Sequence, residues 1–96
     1  MEQQAFENVW DALSNSPEEA ANLTMRADLL IAIEKQIKGW KLTQVQAAQK
    51  LGLTQPRLSD LLRNKINNFS LDSLINIARL SGLDIQLQIA PRKQAA

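Results

Sequence analysis

Residues 43–65, TQVQAAQKLGLTQPRLSDLLRNK, decide the fold of this 96-residue chain. Thr43 and Gln46 have the spacing of a capping box, in which each side chain satisfies a backbone donor that the helix start leaves orphaned. A helix is therefore expected from about Gln44, with Ala47, Ala48 and Leu51 on one face and the two alanines small enough for a crossing helix to come close. Gly52 can take the positive φ of a sharp helix stop, and Leu53 plugs the turn behind it. Thr54 then caps a second helix whose first turn carries Pro56, where a missing N–H costs nothing. That helix is expected to run to about Arg63, burying Leu58, Leu61 and Leu62 and leaving Gln55, Arg57, Ser59, Asp60 and Arg63 outward. Two short helices across one glycine turn, apolar only where they must touch, form a helix-turn-helix, a device for placing the second helix in the major groove of DNA. A plain helical hairpin would also have a polar outer face. The coincidence of small residues, glycine, cap and leucines at these offsets favours DNA binding over that simpler reading.

On either side of the motif the chain reads as more helix. Ser16, Pro17 and Glu19 are a start signal, and the following helix is expected to reach about Lys38 on a stripe of Leu23, Ala27, Leu30, Ile33 and Ile37, widened by Leu29. Gly39 is expected to end it, with Trp40 covering the last turn as a core residue. Beyond the motif, Asn64 suits a left-handed turn, and Ile66 and Phe69 anchor a loop. Ser70 caps a further helix from Leu71 to about Leu80, with Leu71, Leu74, Ile75 and Ala78 inward and Gly82 closing it. The period then changes: residues 84–89, DIQLQI, alternate strictly, which reads as a strand with Ile85, Leu87 and Ile89 on one face. A lone strand exposes unpaired backbone groups. Its simplest partner is the same strand of a second copy, antiparallel across a two-fold axis. Such a homodimer carries two recognition helices and matches a palindromic site in double-stranded DNA, with half-sites roughly 34 Å apart.

The fold class expected is thus mostly α, a small helical bundle built around the helix-turn-helix, with a C-terminal β-strand pairing across a dimer; the resemblance given below implies the phage-repressor type of that bundle. The organisation expected is an acidic amphipathic segment (1–15), a helical helix-turn-helix domain (16–82, motif 43–65), a dimerisation strand (83–90) and a tail (91–96).

Composition narrows the function further. The chain has no cysteine and no histidine, which excludes disulfides, Cys/His metal sites, thiol nucleophiles and imidazole acid–base chemistry. A serine or lysine nucleophile would need an activating base that nothing in the sequence supplies, so no enzyme, cofactor or metal is expected. No apolar run reaches membrane-spanning length and the N-terminus lacks a signal-peptide pattern, so a cytoplasmic protein without a membrane partner is expected. The formal net charge of +1 hides a division. Residues 1–34 hold seven acids against Arg26, a net −6, whereas residues 35–96 hold ten bases against three acids, a net +7. A polyanion is drawn to the half that contains the motif. In the acidic half, Phe6, Val9, Trp10 and Leu13 recur at i, i+3, i+4 and i+7, an amphipathic turn or two that is too short to stand alone in water. It either folds back on the core or meets a partner.

The stretches SPEEAANLTMRADLL, LTQVQAAQKLGLTQPRLSDLLRNKI and FSLDSL, followed by the alternating terminal segment, together resemble the HigA-type antitoxins of type II toxin–antitoxin systems, which carry an XRE (phage-repressor) helix-turn-helix domain. The resemblance covers nearly the whole chain. It implies a DNA-binding antitoxin that neutralises a basic RelE/HigB-like mRNA-cleaving toxin and, as a dimer, represses its own operon. A stand-alone XRE-type regulator with no toxin is the alternative. By the same resemblance Gln55, Arg57, Ser59 and Asp60 read bases, with Gln suited to adenine and Arg to guanine. Gln44, Thr54, Arg63, Asn64 and Lys65 face the DNA backbone, where charge gives affinity without sequence information. Many relatives have glycine where this chain has Asn64. The toxin is expected on Phe6, Val9, Trp10 and Leu13.

Overall fold

The computed structural model describes residues 16–92. Its longest element, α1 (Pro17–Trp40), begins where Ser16 turns out of extended backbone and accepts a hydrogen bond from the Glu19 N–H at 3.0 Å. Proline in the first turn and Glu18 and Glu19 beside the positive end of the helix dipole favour the same start. The helix buries Ala20, Leu23, Leu30, Ile33 and Ile37, while Ala27 and Leu29 are only partly covered. It runs past Gly39, where the sequence reading ended it. The stop comes at Lys41, in the left-handed region at φ 57, whose N–H donates to the Lys38 carbonyl. The two extra residues carry Trp40 onto the edge of the core, where the Lys50 ammonium lies 4.2 Å from its ring centroid.

The next two helices are α2 (Gln44–Leu51) and α3 (Gln55–Leu62). Both halves of the Thr43/Gln46 capping box are present: Thr43 Oγ1 accepts from the Gln46 N–H and Gln46 Oε1 from the Thr43 N–H. Gly52 ends α2 in the left-handed region at φ 69, and the Leu53 N–H returns to the Ala48 carbonyl at 2.9 Å. Thr54 caps α3 by accepting from the Arg57 N–H. Ala47, Ala48, Leu51, Leu58 and Leu61 are all essentially inaccessible, so the two short helices hold each other through small and leucine side chains. Leu62, read as fully inward, is only partly covered and packs on the rim of the core.

After α3 the chain turns at Asn64, left-handed at φ 61, passes through a 3₁₀ turn (Ile66–Asn68) and enters α4 (Leu71–Leu80), capped by Ser70. Ile66 and Phe69 are buried, as an anchored loop requires. The inward stripe of α4 is Leu74, Ile77, Ala78 and, one turn on, Ser81. The stripe expected from the sequence is Leu71, Leu74, Ile75 and Ala78; in the structure Leu71 and Ile75 are only partly covered and Ile77 takes the central place. Both quartets have the i, i+3, i+4, i+7 spacing, so periodicity alone does not separate them. Ser81 tips the balance: its hydroxyl donates to the Ala78 carbonyl at 2.7 Å and its own carbonyl accepts from Gln36 Nε2 at 2.9 Å, which makes a polar residue tolerable inside. α4 lies mainly along α1, and α2 closes the end of the bundle.

From Leu83 onward no regular element is found among the described residues. The expected strand at 84–89 is not present, because one copy offers its backbone no ladder to join. Leu83 and Ile85 pack against the core, whereas Leu87 and Ile89 are 84% and 82% exposed. No described helix is long and apolar enough to cross a membrane.

Candidate nucleic-acid interface

α3 presents two polar stripes separated by their position on the helix. Gln55, Ser59 and Arg63 recur at four-residue spacing and share one side. Gln55, at the first position after the Thr54 cap, and Arg63, the C-cap just past Leu62, are exposed, and Ser59 between them is partly covered. Directly beneath, Leu58 and Leu61 are wholly buried, so the stripe is held outward by two full-size apolar anchors. Arg57 and Asp60, three residues apart, occupy the other flank, which faces the 3₁₀ turn.

That second flank is engaged within the protein. Arg57 Nη1 donates to the Asn68 carbonyl at 2.7 Å, and its guanidinium carbon sits 4.0 Å from the centroid of the Phe69 ring. Asp60 Oδ2 accepts from Asn68 Nδ2 at 3.3 Å, and Asp60 Oδ1 stands 3.8 Å from the Lys65 ammonium. The last pair is solvated and worth at most about 1 kcal/mol. The Arg57 contact is the stronger of the two, since one partner is charged and the ring excludes water from one face of the guanidinium.

A second arginine, from a different helix, reaches the same loop. Arg26, on α1, sends Nη1 to the carbonyls of both Ile66 (3.1 Å) and Phe69 (3.0 Å). Its Nε is buried without a partner, a cost accepted so that the two carbonyls are capped. Local spacing carried no sign of this role, because the donor and its acceptors lie 40 and 43 residues apart. In the sequence Arg26 stands out only as the lone base among the seven acids of residues 1–34.

The other residues assigned from sequence fall around this centre. Gln44 is the exposed first residue of α2, and Thr54, Asn64 and Lys65 are exposed at the two ends of α3. Thr54 already accepts one hydrogen bond, from its own helix, and keeps a hydroxyl proton to donate. Gln55, Arg63, Asn64 and Lys65 thus lie on one helix and the turn that leaves it, while Ile85, Leu87 and Ile89 lie in the C-terminal segment. Phe6, Val9, Trp10 and Leu13 lie outside the described residues. Among the described residues no cluster of acidic, histidine or cysteine side chains could hold a metal ion.

A family described as a helix-turn-helix domain matches residues 12–90 of the chain, which takes in all four described helices. No curated protein matches it.

Proposed function

This chain belongs to the helix-turn-helix domain family, and we propose that it is a DNA-binding repressor that acts as a homodimer on a palindromic operator and also serves as the antitoxin to a basic mRNA-cleaving toxin. The DNA-binding part of this reading rests on one observation: an exposed Gln55 at the head of α3, with Ser59 and Arg63 behind it on the same stripe and two fully buried leucines below. A glutamine in that position can pair bidentately with adenine across the major groove. Of the four residues assigned to bases from sequence, Gln55 and Ser59 are the better supported, because Arg57 and Asp60 are already engaged with the loop. Gln44, Thr54, Arg63, Asn64 and Lys65 remain the proposed backbone contacts.

Gln55→Ala is expected to cost about 1–3 kcal/mol of operator affinity and to relax preference at one base pair per half-site. Selection from a randomised duplex pool, followed by titration of the winners, measures both. Retained preference at every position would remove Gln55 from the readout. The absence of any salt-dependent duplex binding by the unmodified protein would overturn the DNA reading as a whole.

The antitoxin part is supported by the resemblance described above and by the charge of the acidic half, which complements a basic ribonuclease. If the segment carrying Phe6, Val9, Trp10 and Leu13 holds the toxin, a chain lacking residues 1–16 loses co-purification with the small basic product of the neighbouring gene. Full retention by the shortened chain would rule that segment out. A neighbouring gene of another kind would favour a stand-alone regulator.

A further inference from the structure

We infer that Arg57 is a positioning residue: it holds the turn that carries Asn64, Lys65 and Asn67 at a fixed offset from the base-reading stripe, and does not itself read a base. The inference deepens the DNA-binding reading and rests on it.

Three observations carry it. First, the planar guanidinium of Arg57 is occupied on two sides at once, with Nη1 on the Asn68 carbonyl at 2.7 Å and the Phe69 ring 4.0 Å from its central carbon. To reach a guanine edge it would have to give up both contacts, and Phe69, otherwise wholly buried, would lose its cover. Second, the arrangement is two-sided. Arg26 takes the Ile66 and Phe69 carbonyls from the α1 side while Arg57 takes the Asn68 carbonyl from the α3 side, so three carbonyls of a four-residue stretch are drawn toward arginines. Backbone acceptors satisfied in this way are turned from an approaching phosphate, toward which they would present partial negative charge. Third, Asp60 adds a tether to the same residue through the Asn68 side chain, so both members of the second stripe serve the turn.

The consequence is mechanical. Asn67 and Lys65 are exposed on the braced turn, and Gln55 is exposed at the far end of α3. Bracing the turn to α3 sets the spacing between backbone-directed and base-directed groups before any duplex arrives, which lowers the ordering cost of binding.

The test compares the full-length protein with Arg57→Ala and Arg57→Lys, using operator duplexes selected with the unmodified chain and amide hydrogen exchange of the free proteins. Both variants are expected to lose about ten-fold in affinity across all duplexes alike, on the order of one charged hydrogen bond. Lysine restores little, because it keeps the charge but not the planar donor that fits between carbonyl and ring. Both variants select the same consensus as the unmodified protein, and in both the amides of residues 66–69 exchange faster without DNA while those of α1 and α4 do not. A consensus loosened at one base pair in Arg57→Ala overturns the inference, as does unchanged exchange at residues 66–69 or full rescue by lysine, which would make Arg57 a simple charge. Should the alanine variant fail to fold, the lysine variant decides by the same three readouts. Failure of the DNA reading itself looks different: the unmodified protein then selects no consensus, whatever the exchange shows.

Discussion

Leu58→Ala is expected to destabilise the domain by about 2–5 kcal/mol, the range for removing a fully buried leucine and leaving a cavity that its neighbours fill only in part. Leu58 is completely inaccessible and sits among Leu61, Ala47, Leu51 and Leu74, in a core too small to spread the damage. Domains of this size are held by only about 5–15 kcal/mol in total, so the loss is a large fraction of the whole. Urea denaturation followed by circular dichroism reads it directly. Operator affinity should fall in the same variant although no surface group has changed, because the stripe of Gln55, Ser59 and Arg63 owes its outward position to the leucines below. A loss under about 1 kcal/mol, the size of an ordinary surface change, would show that α3 is held by something other than its leucines.

The second large effect concerns the C-terminal segment. A chain ending at Gln86 keeps Leu83 and Ile85 on the core and removes Leu87 and Ile89, both more than four-fifths exposed in the single copy. If two copies pair through this segment, the shortened chain sediments as a monomer and keeps the helical circular-dichroism signal of the full chain, while its melting temperature no longer rises with protein concentration. On a duplex with two half-sites its affinity falls by about 10²–10⁴-fold, the advantage that linked binding confers. On a duplex with one half-site it binds as the full chain does. A shortened chain that still sediments as a dimer would rule out the pairing role of Leu87 and Ile89.

The features that were legible in the sequence are those written in short-range spacing. The capping box of Thr43 and Gln46, the left-handed stop at Gly52, the cap at Thr54 and the turn at Asn64 each depend on residues no more than a few positions apart, and each is present. The leucine pair Leu58 and Leu61 was legible for the same reason, being fixed by helical periodicity. What escaped the reading required knowledge of what lies across the fold. The inward quartet of α4 lies three residues further along the chain than the sequence suggests, because two quartets fit the same period and only the Gln36 and Ala78 contacts of Ser81 choose between them. α1 continues through Gly39 because a glycine permits a stop without compelling one, and Trp40 packs against the core at its end. The division of the α3 polar face into a free stripe and an engaged one was invisible, since a polar residue facing a neighbouring loop and one facing water leave the same pattern. Arg26 is the extreme case: its acceptors are set by the meeting of α1 with the 3₁₀ turn and by nothing near it in the chain.

That double clasp by Arg26 and Arg57 changes what kind of segment residues 64–69 are. Connecting stretches on a protein surface ordinarily accept extra residues with little harm. This one has its carbonyls matched to side chains on two different helices, and Phe69 and Ile66 are sealed into the interior. Lengthening it by even one residue would unseat both arginines together, so across evolution its length should drift far less than that of the link at residues 41–43, and anyone fusing or grafting sequence into this domain should cut elsewhere.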